Sequence, residues 1–268
     1  MKCKEVIVAG KARWTQGKLR NGVKEIYLSH WKWFSVYVNQ ELLDYTTYIY
    51  RGHGYSEWRL EPTLDRLIKT PASPKRKAHF ENFRFSTRGR RGANPPVIED
   101  ENGWWALGQH HGLSTPLLDW TESPFVALYF AMVRARAEPG SNCCVWCLAE
   151  SVIKVNNKNI ESDSSVKPVG GRVPIVEIVR PLSDENNRLV NQRGLFTRGP
   201  NNIELERWVK MNNNDSRSWD LIKIVVPKKE SEDCLRYLNR MNINHATLFP
   251  DLYGASEFCN MELSITRY

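Results

Sequence analysis

Ser123-Pro124-Phe125-Val126-Ala127-Leu128-Tyr129-Phe130-Ala131-Met132-Val133-Arg134 reads as one helix that is apolar on nearly every side. Ser123 and Pro124 suit the N-cap and first helical position. A Ser side chain can accept from an unpaired helix N–H, and Pro brings a preset φ where no N–H is needed. A helix without a polar face must be buried. On its C-terminal side, Cys143 to Leu148, Val173 to Arg180 and Leu221 to Val226 read as strands. On its N-terminal side, Tyr45-Thr46-Thr47-Tyr48-Ile49-Tyr50 reads as a strand that ends in a flexible glycine turn, Arg51-Gly52-His53-Gly54. Other helices are expected from Ser29 (as N-cap) to Leu43, from Lys75 to Phe85, from Trp104 to His111, from Ser231 to Met241 and from Pro250 to Leu263. Thr115 to Trp120 reads as a loop. Helices come early and mix with strands later, which predicts an α+β fold: a single domain with a small mixed or antiparallel sheet flanked by helices.

The 268 residues include ten Trp, nine Phe and ten Tyr, ample for a core. Lys and Arg number 38 against 30 Asp and Glu, a balance of +8 that favours polyanionic partners only as a field effect. No run approaches the ~18 apolar residues of a membrane span. Val6-Ile7-Val8-Ala9 is too short for a secretory leader, so a cytoplasmic protein without membrane contact is expected. The six cysteines include Cys144 and Cys147 in a CxxC, but inside an apolar, strand-like run and without a second metal-spaced pair, so they read as structural. No metal is expected.

Chemistry concentrates in two places. Arg51 stands beside two glycines, where a ligand could approach the backbone and a guanidinium could grip phosphate in bidentate fashion, although a solvated Arg in a turn reads as well. Gln109 to Pro124 gathers His110, His111, Ser114, Thr115, Asp119, Thr121, Glu122 and Ser123 between two buried helices. Adjacent His residues make a poor zinc pair on a helix, and either could orient a ligand or simply be satisfied structurally. Asp119 between Leu118 and Trp120 is a carboxylate in apolar company, so it reads equally as half of an ion pair with Arg51 or Arg66 and as an active-site carboxylate. Arg84, Arg88, Arg90 and Arg91, interleaved with Gly89 and Gly92, form a basic segment suited to nucleic acid.

Tyr50-Arg51-Gly52, then Glu57-Trp58-Arg59-Leu60-Glu61-Pro62, Leu64, Arg66, Glu81 and Phe83, resemble the FRG domain family. The run Gln109 to Pro124 followed by Ala127-Leu128-Tyr129-Phe130-Ala131 is similar to that family's central motif, and Arg188, Gln192 to Thr197 and Leu248 to Leu252 to its closing motifs. The resemblance spans roughly 30 to 255, so residues 1–28 are expected as an N-terminal strand or extension and 29–268 as the FRG domain. Tyr50 departs from the usual Phe. Pro116 stands where the family carries Arg, which removes a ligand contact unless Arg193 or Arg198 offsets it.

A more distant resemblance, to ADP-ribosyltransferases, implies NAD as co-substrate. Arg51 would neutralise its pyrophosphate, Gly52 would approach the nicotinamide amide, and Tyr129 or Trp120 would stack on the ring. It implies catalytic roles for Arg51, Asp119, Gln192 and Glu81. It also implies cofactor contacts from Tyr50, Arg51, Gly52, His110, His111, Thr115, Trp120, Thr121, Ser123 and Tyr129. Gln192 is neutral, so the charge facing an oxocarbenium-like ribose would come from Asp119, Glu81 or Glu57. The functions in competition are an NAD-dependent transferase modifying nucleic acid or protein as a toxin or phage-defence effector, a non-catalytic nucleic-acid or nucleotide module, and a metal nuclease. The last lacks a carboxylate cluster at metal-binding spacing.

Overall fold

Strands at Trp14–Gln16 (β1), Val23–Leu28 (β2), Tyr48–His53 (β3), Leu117–Thr121 (β4), Asn142–Ala149 (β5), Glu177–Val179 (β6), Gly194–Arg198 (β7) and Leu221–Pro227 (β8) carry the architecture. Helices lie at Trp33–Tyr37 (α1, continued by a π turn over Val38–Leu42), Thr63–Leu67 (α2), Pro74–Ser86 (α3), Glu101–His110 (α4), Pro124–Ala135 (α5), Glu150–Ser162 (α6), Asn187–Asn191 (α7), Leu205–Asn212 (α8), Ser231–Arg240 (α9), His245–Leu248 (α10) and Leu252–Ser264 (α11). The computed structural model describes residues 12–181, 187–215 and 217–268, so Cys3 and the Val6–Ala9 run lie outside the described residues. The fold is α+β, with strands and helices interspersed without strict alternation.

The chain divides into two compact units. The first draws on Met1–Trp58, Thr121–Ala149 and Val209–Tyr268, and the second on Arg59–Trp120 and Glu150–Trp208. In the first, the strands run in the order β1-β2-β8-β5-β3, antiparallel except for the parallel pair β2 and β8. The register puts Ile26, Ile224, Val145 and Gly52 in one row across the sheet, with Ile222, Cys147 and Tyr50 in the next. These rows face the main core with α5 and with Cys234, Leu235 and Leu238 of α9. Successive strand residues point to opposite faces, so the intervening row of Glu25, Lys223, Trp146 and Arg51 lies on the other side.

Gly52 and Gly54 share the α5 side, and they explain how closely β3 packs there. A Cβ on Gly52 would lie 2.0 Å from the Ala127 carbonyl oxygen and 2.7 Å from the Ala131 nitrogen. One on Gly54 would meet Arg134 Cβ at 2.7 Å and the Ala135 nitrogen at 2.8 Å. Ala127, Ala131 and Ala135 recur every four residues and give α5 a small-residue face on which the strand rests. The glycine turn expected at Arg51–Gly54 is therefore strand through His53, and Gly52 is present for its missing Cβ.

In the second unit, β4, β7 and β6 are neighbours in that order. Leu64, Trp105, Ala106, Leu117, Val179 and Phe196 form its core, with Phe80 and Leu113 packed against them. A polar knot ties it down: Arg198 donates to Asn102 Oδ1 and Glu101 Oε1, both at 2.7 Å, and Arg172 pairs with Glu177 and Glu101. Burial opposes ionisation of Glu101, but hydrogen bonds from Arg198 and Trp105 hold its carboxyl below the usual range. Arg198 is thus committed to the fold, which leaves it unsuited to replace the arginine that Pro116 lacks.

Several boundaries moved. The first helix begins at Trp33, with Lys32 as N-cap; Ser29 instead donates to the Arg13 carbonyl. The expected strand Val173–Arg180 shrinks to Glu177–Val179. The expected loop at Thr115–Trp120 contains β4, because Leu117, Leu118, Trp120 and Thr121 all find buried places. The α5 helix, its Ser123 cap (3.4 Å from the Val126 nitrogen), β5, β8 and α9 stand where the residues placed them. Cys143, Cys144 and Cys147 are buried in β5, and burial pushes the Cys143 thiol up to about 12.

Candidate functional site

Arg51 and His53 are two residues apart on β3 and so share the sheet face opposite α5. Arg51 is half-buried, and its Nε donates to His53 Nε2 at 3.1 Å. Trp146, opposite Arg51 in the register, brings its Nε1 to 3.3 Å from His53 Nδ1. A neutral imidazole accepts at one nitrogen only, so the two donors compete for it. On the next strand Lys223 pairs with Trp146 in register and sets its ammonium 5.4 Å from the indole centroid. Lys223 also lies 3.8 Å from Glu25. Arg51 and Lys223 thus stand on either side of the buried Trp146 and place two cations in one row on one sheet face, an arrangement suited to an anionic group. Sequence reasoning found Arg51 but missed His53, Trp146 and Lys223. Period-two alternation in β3, β5 and β8 was the available signal, but the register that aligns them was not.

The other expected ligand contacts of the first unit are largely core. Tyr129 is fully buried and shares a 2.7 Å hydrogen bond with His245 Nδ1; burial raises its hydroxyl far above the usual range. No ring face remains there for a nicotinamide. Tyr50 is buried on the α5 side, and burial raises its hydroxyl as well. Thr121 is buried, pairs with Tyr50 in the ladder and accepts from the Ser123 nitrogen at 3.0 Å, while Ser123 caps α5. Both stabilise the turn into the helix. The side of Gly52 where a ligand was expected to approach is filled by α5. Glu57 is exposed and accepts from Ser56.

In the second unit, Trp120 is 3% exposed and its Nε1 donates to Thr197 Oγ1 at 2.9 Å, so its ring is also core rather than a stacking platform. Thr115 is fully buried, bonded to Gln109 and, at 3.2 Å, to the Leu117 nitrogen. Asp119 is exposed, on the opposite side of β4 from its neighbours Leu118 and Trp120. Its carboxylate is not desolvated, and Arg66 donates to Thr63 at 3.0 Å. Gln192 lies in the turn between α7 and β7, its nitrogen donating to the Arg188 carbonyl, and not on the strand. Arg193 follows with φ of 46°. Glu81 is exposed on α3, 3.8 Å from Lys77. His110 and His111 cross edge to face at 4.7 Å, with His111 at the C-cap of α4.

The arginine segment is more ordered than a loop. Arg84 lies in α3, 5.2 Å from the Trp104 ring centroid, and Arg91 reaches the same ring at 5.1 Å. Arg88 lies 3.6 Å over Phe85. Among the described residues, no three His, Cys, Asp or Glu gather as a metal site, and no helix is long and apolar enough to cross a membrane.

Residues 46–139, a stretch running from β3 through α5, match the model of the FRG domain. This stretch contains Arg51, the glycines under α5 and the arginine segment. No curated protein and no solved structure matches the chain.

Proposed function

We propose that this FRG-domain chain binds NAD and transfers its ADP-ribose to nucleic acid or protein, as a toxin or phage-defence effector of ADP-ribosyltransferase type. The observation that carries this is Arg51. A guanidinium held at Nε by His53, half-buried on the β3 face opposite α5, keeps the fixed plane that bidentate phosphate recognition needs. Lys223 in the same row adds a second positive charge for the pyrophosphate. In the reaction the nicotinamide–ribose bond breaks and its electron pair leaves with nicotinamide. An acceptor nucleophile then bonds the ribose carbon and loses a proton. Glu57, in the same unit as Arg51, would face the positive ribose.

The test incubates the protein with labelled NAD and DNA, RNA or lysate protein and follows nicotinamide release and label transfer. Arg51→Ala should abolish turnover with the far-UV circular dichroism unchanged. Arg51→Lys should lose at least about tenfold, because an ammonium keeps the charge without the fork. NAD left intact with every acceptor would overturn the enzyme and leave a binding module.

A further inference from the structure

From Asn82 to Ile98 the chain has four arginines and no acidic residue. Gly89 and Gly92 have φ of 72° and 84°, and nothing lies within 4 Å of a Cβ on either, so the left-handed backbone alone demands glycine there. The two left-handed residues bracket Arg90 and Arg91 in the turn that follows α3. Beneath this turn is a cavity of about 780 Å³, within the roughly 300–1,000 Å³ of small-ligand sites. Phe83 and Leu107 give it an apolar floor, Ser86 and Thr87 contribute hydroxyls, and Arg90, Arg91 and His111 stand at its wall. Around it, exposed Phe85 lies under Arg88, and Trp104 lies beside Arg84 and Arg91.

We propose that this cavity binds single-stranded nucleic acid, with one unstacked base on the Phe83–Leu107 floor and the neighbouring phosphates along Arg84, Arg88 and Arg90. Positive charge interleaved with aromatic rings is the recognition chemistry of single strands, whose bases are exposed for stacking. A duplex keeps its bases inside and would meet only the arginine rim, which favours the single strand. An acidic peptide matches the charge but has no planar group for the floor. The site lies wholly within the second unit and does not depend on NAD turnover.

Fluorescence anisotropy with a labelled oligonucleotide of mixed sequence, as single-stranded DNA, single-stranded RNA and duplex, decides the matter. At least one single strand should bind tenfold or more tighter than the duplex, and the two single-strand arms identify the sugar. Replacing one central base by an abasic site should weaken binding severalfold. Arg90→Ala should weaken it and lower the salt slope by about 0.7. Ser86→Trp should fill the cavity and erase the preference for single strand over duplex. Both positions are exposed, and unchanged melting confirms that the variants fold. Equal affinity for duplex and single strand, indifference to Ser86→Trp, or equal competition by polyglutamate would each overturn the proposal.

Discussion

Replacing Gly52 by Ala adds one methyl group where none fits. The new Cβ would sit 2.0 Å from the Ala127 carbonyl oxygen and 2.7 Å from the Ala131 nitrogen, against an ordinary carbon–oxygen contact well above 3 Å. Both obstacles are backbone of α5, so no rotamer change relieves them, and strand and helix must separate by more than an ångström. Overpacking a core by a methylene costs about 1–3 kcal/mol when side chains can adjust. With rigid backbone on the other side, about 3 kcal/mol or more is expected. At about 2–4 °C per kcal/mol for a chain of this size, the melting midpoint should fall by roughly 6–12 °C. Thermal unfolding followed by circular dichroism measures this directly. Ala127→Gly should not rescue the variant, because the clash is with a carbonyl and not a methyl. A Gly52→Ala protein that melts within 1–2 °C of the parent but loses ligand binding would refute the packing account. Gly52 would then serve ligand approach, as its place beside Arg51 first suggested.

Arg76 donates to Asp65 at 2.8 Å and to the carbonyls of Thr70 and Ile68, with Asp65 only 2% exposed. Arg76→Met should therefore cost about 3–5 kcal/mol by stranding a buried carboxylate, and adding Asp65→Asn should recover part of it in a denaturation cycle; strict additivity would count against the pairing. Burial lowers His245 from its ordinary 6.5, so its neutral form stabilises the fold fully above that pH, and the contribution is lost as pH falls below 6.5 towards the folded value. Its contribution to unfolding free energy should drop by at most about 1.4 kcal/mol per pH unit in that window, and His245→Gln should remove this component; identical pH slopes for parent and variant would contradict it.

The sequence carried the parts of the fold that depend on local pattern. The α5 helix announced itself by an unbroken apolar surface and a Ser-Pro start, and β5 and β8 by apolar runs. It misled where one residue type serves two ends. Gly52 and Gly54 read as a turn because glycine tolerates positive φ, yet neither uses it; what mattered was the absent Cβ against α5. Asp119 looked desolvated from its neighbours in sequence, but strand alternation turns it away from both. Tyr129 and Trp120, chosen for their rings, are held by partners distant in sequence, His245 and Thr197, that no local pattern reveals. The same limit hid the row of Arg51, Trp146 and Lys223, which exists only once three strands are in register.

The parallel pairing of β2 with β8 sets the order in which the molecule can be completed. Val23 to Tyr27 wait for Leu221 to Val225, and β5 needs the same strand on its other edge. During synthesis Trp208, the last residue of the second unit, leaves the ribosome before β8 does. The second unit can therefore finish while β2 and β5 still present open edges, which are templates for wrong pairing until β8 arrives between them.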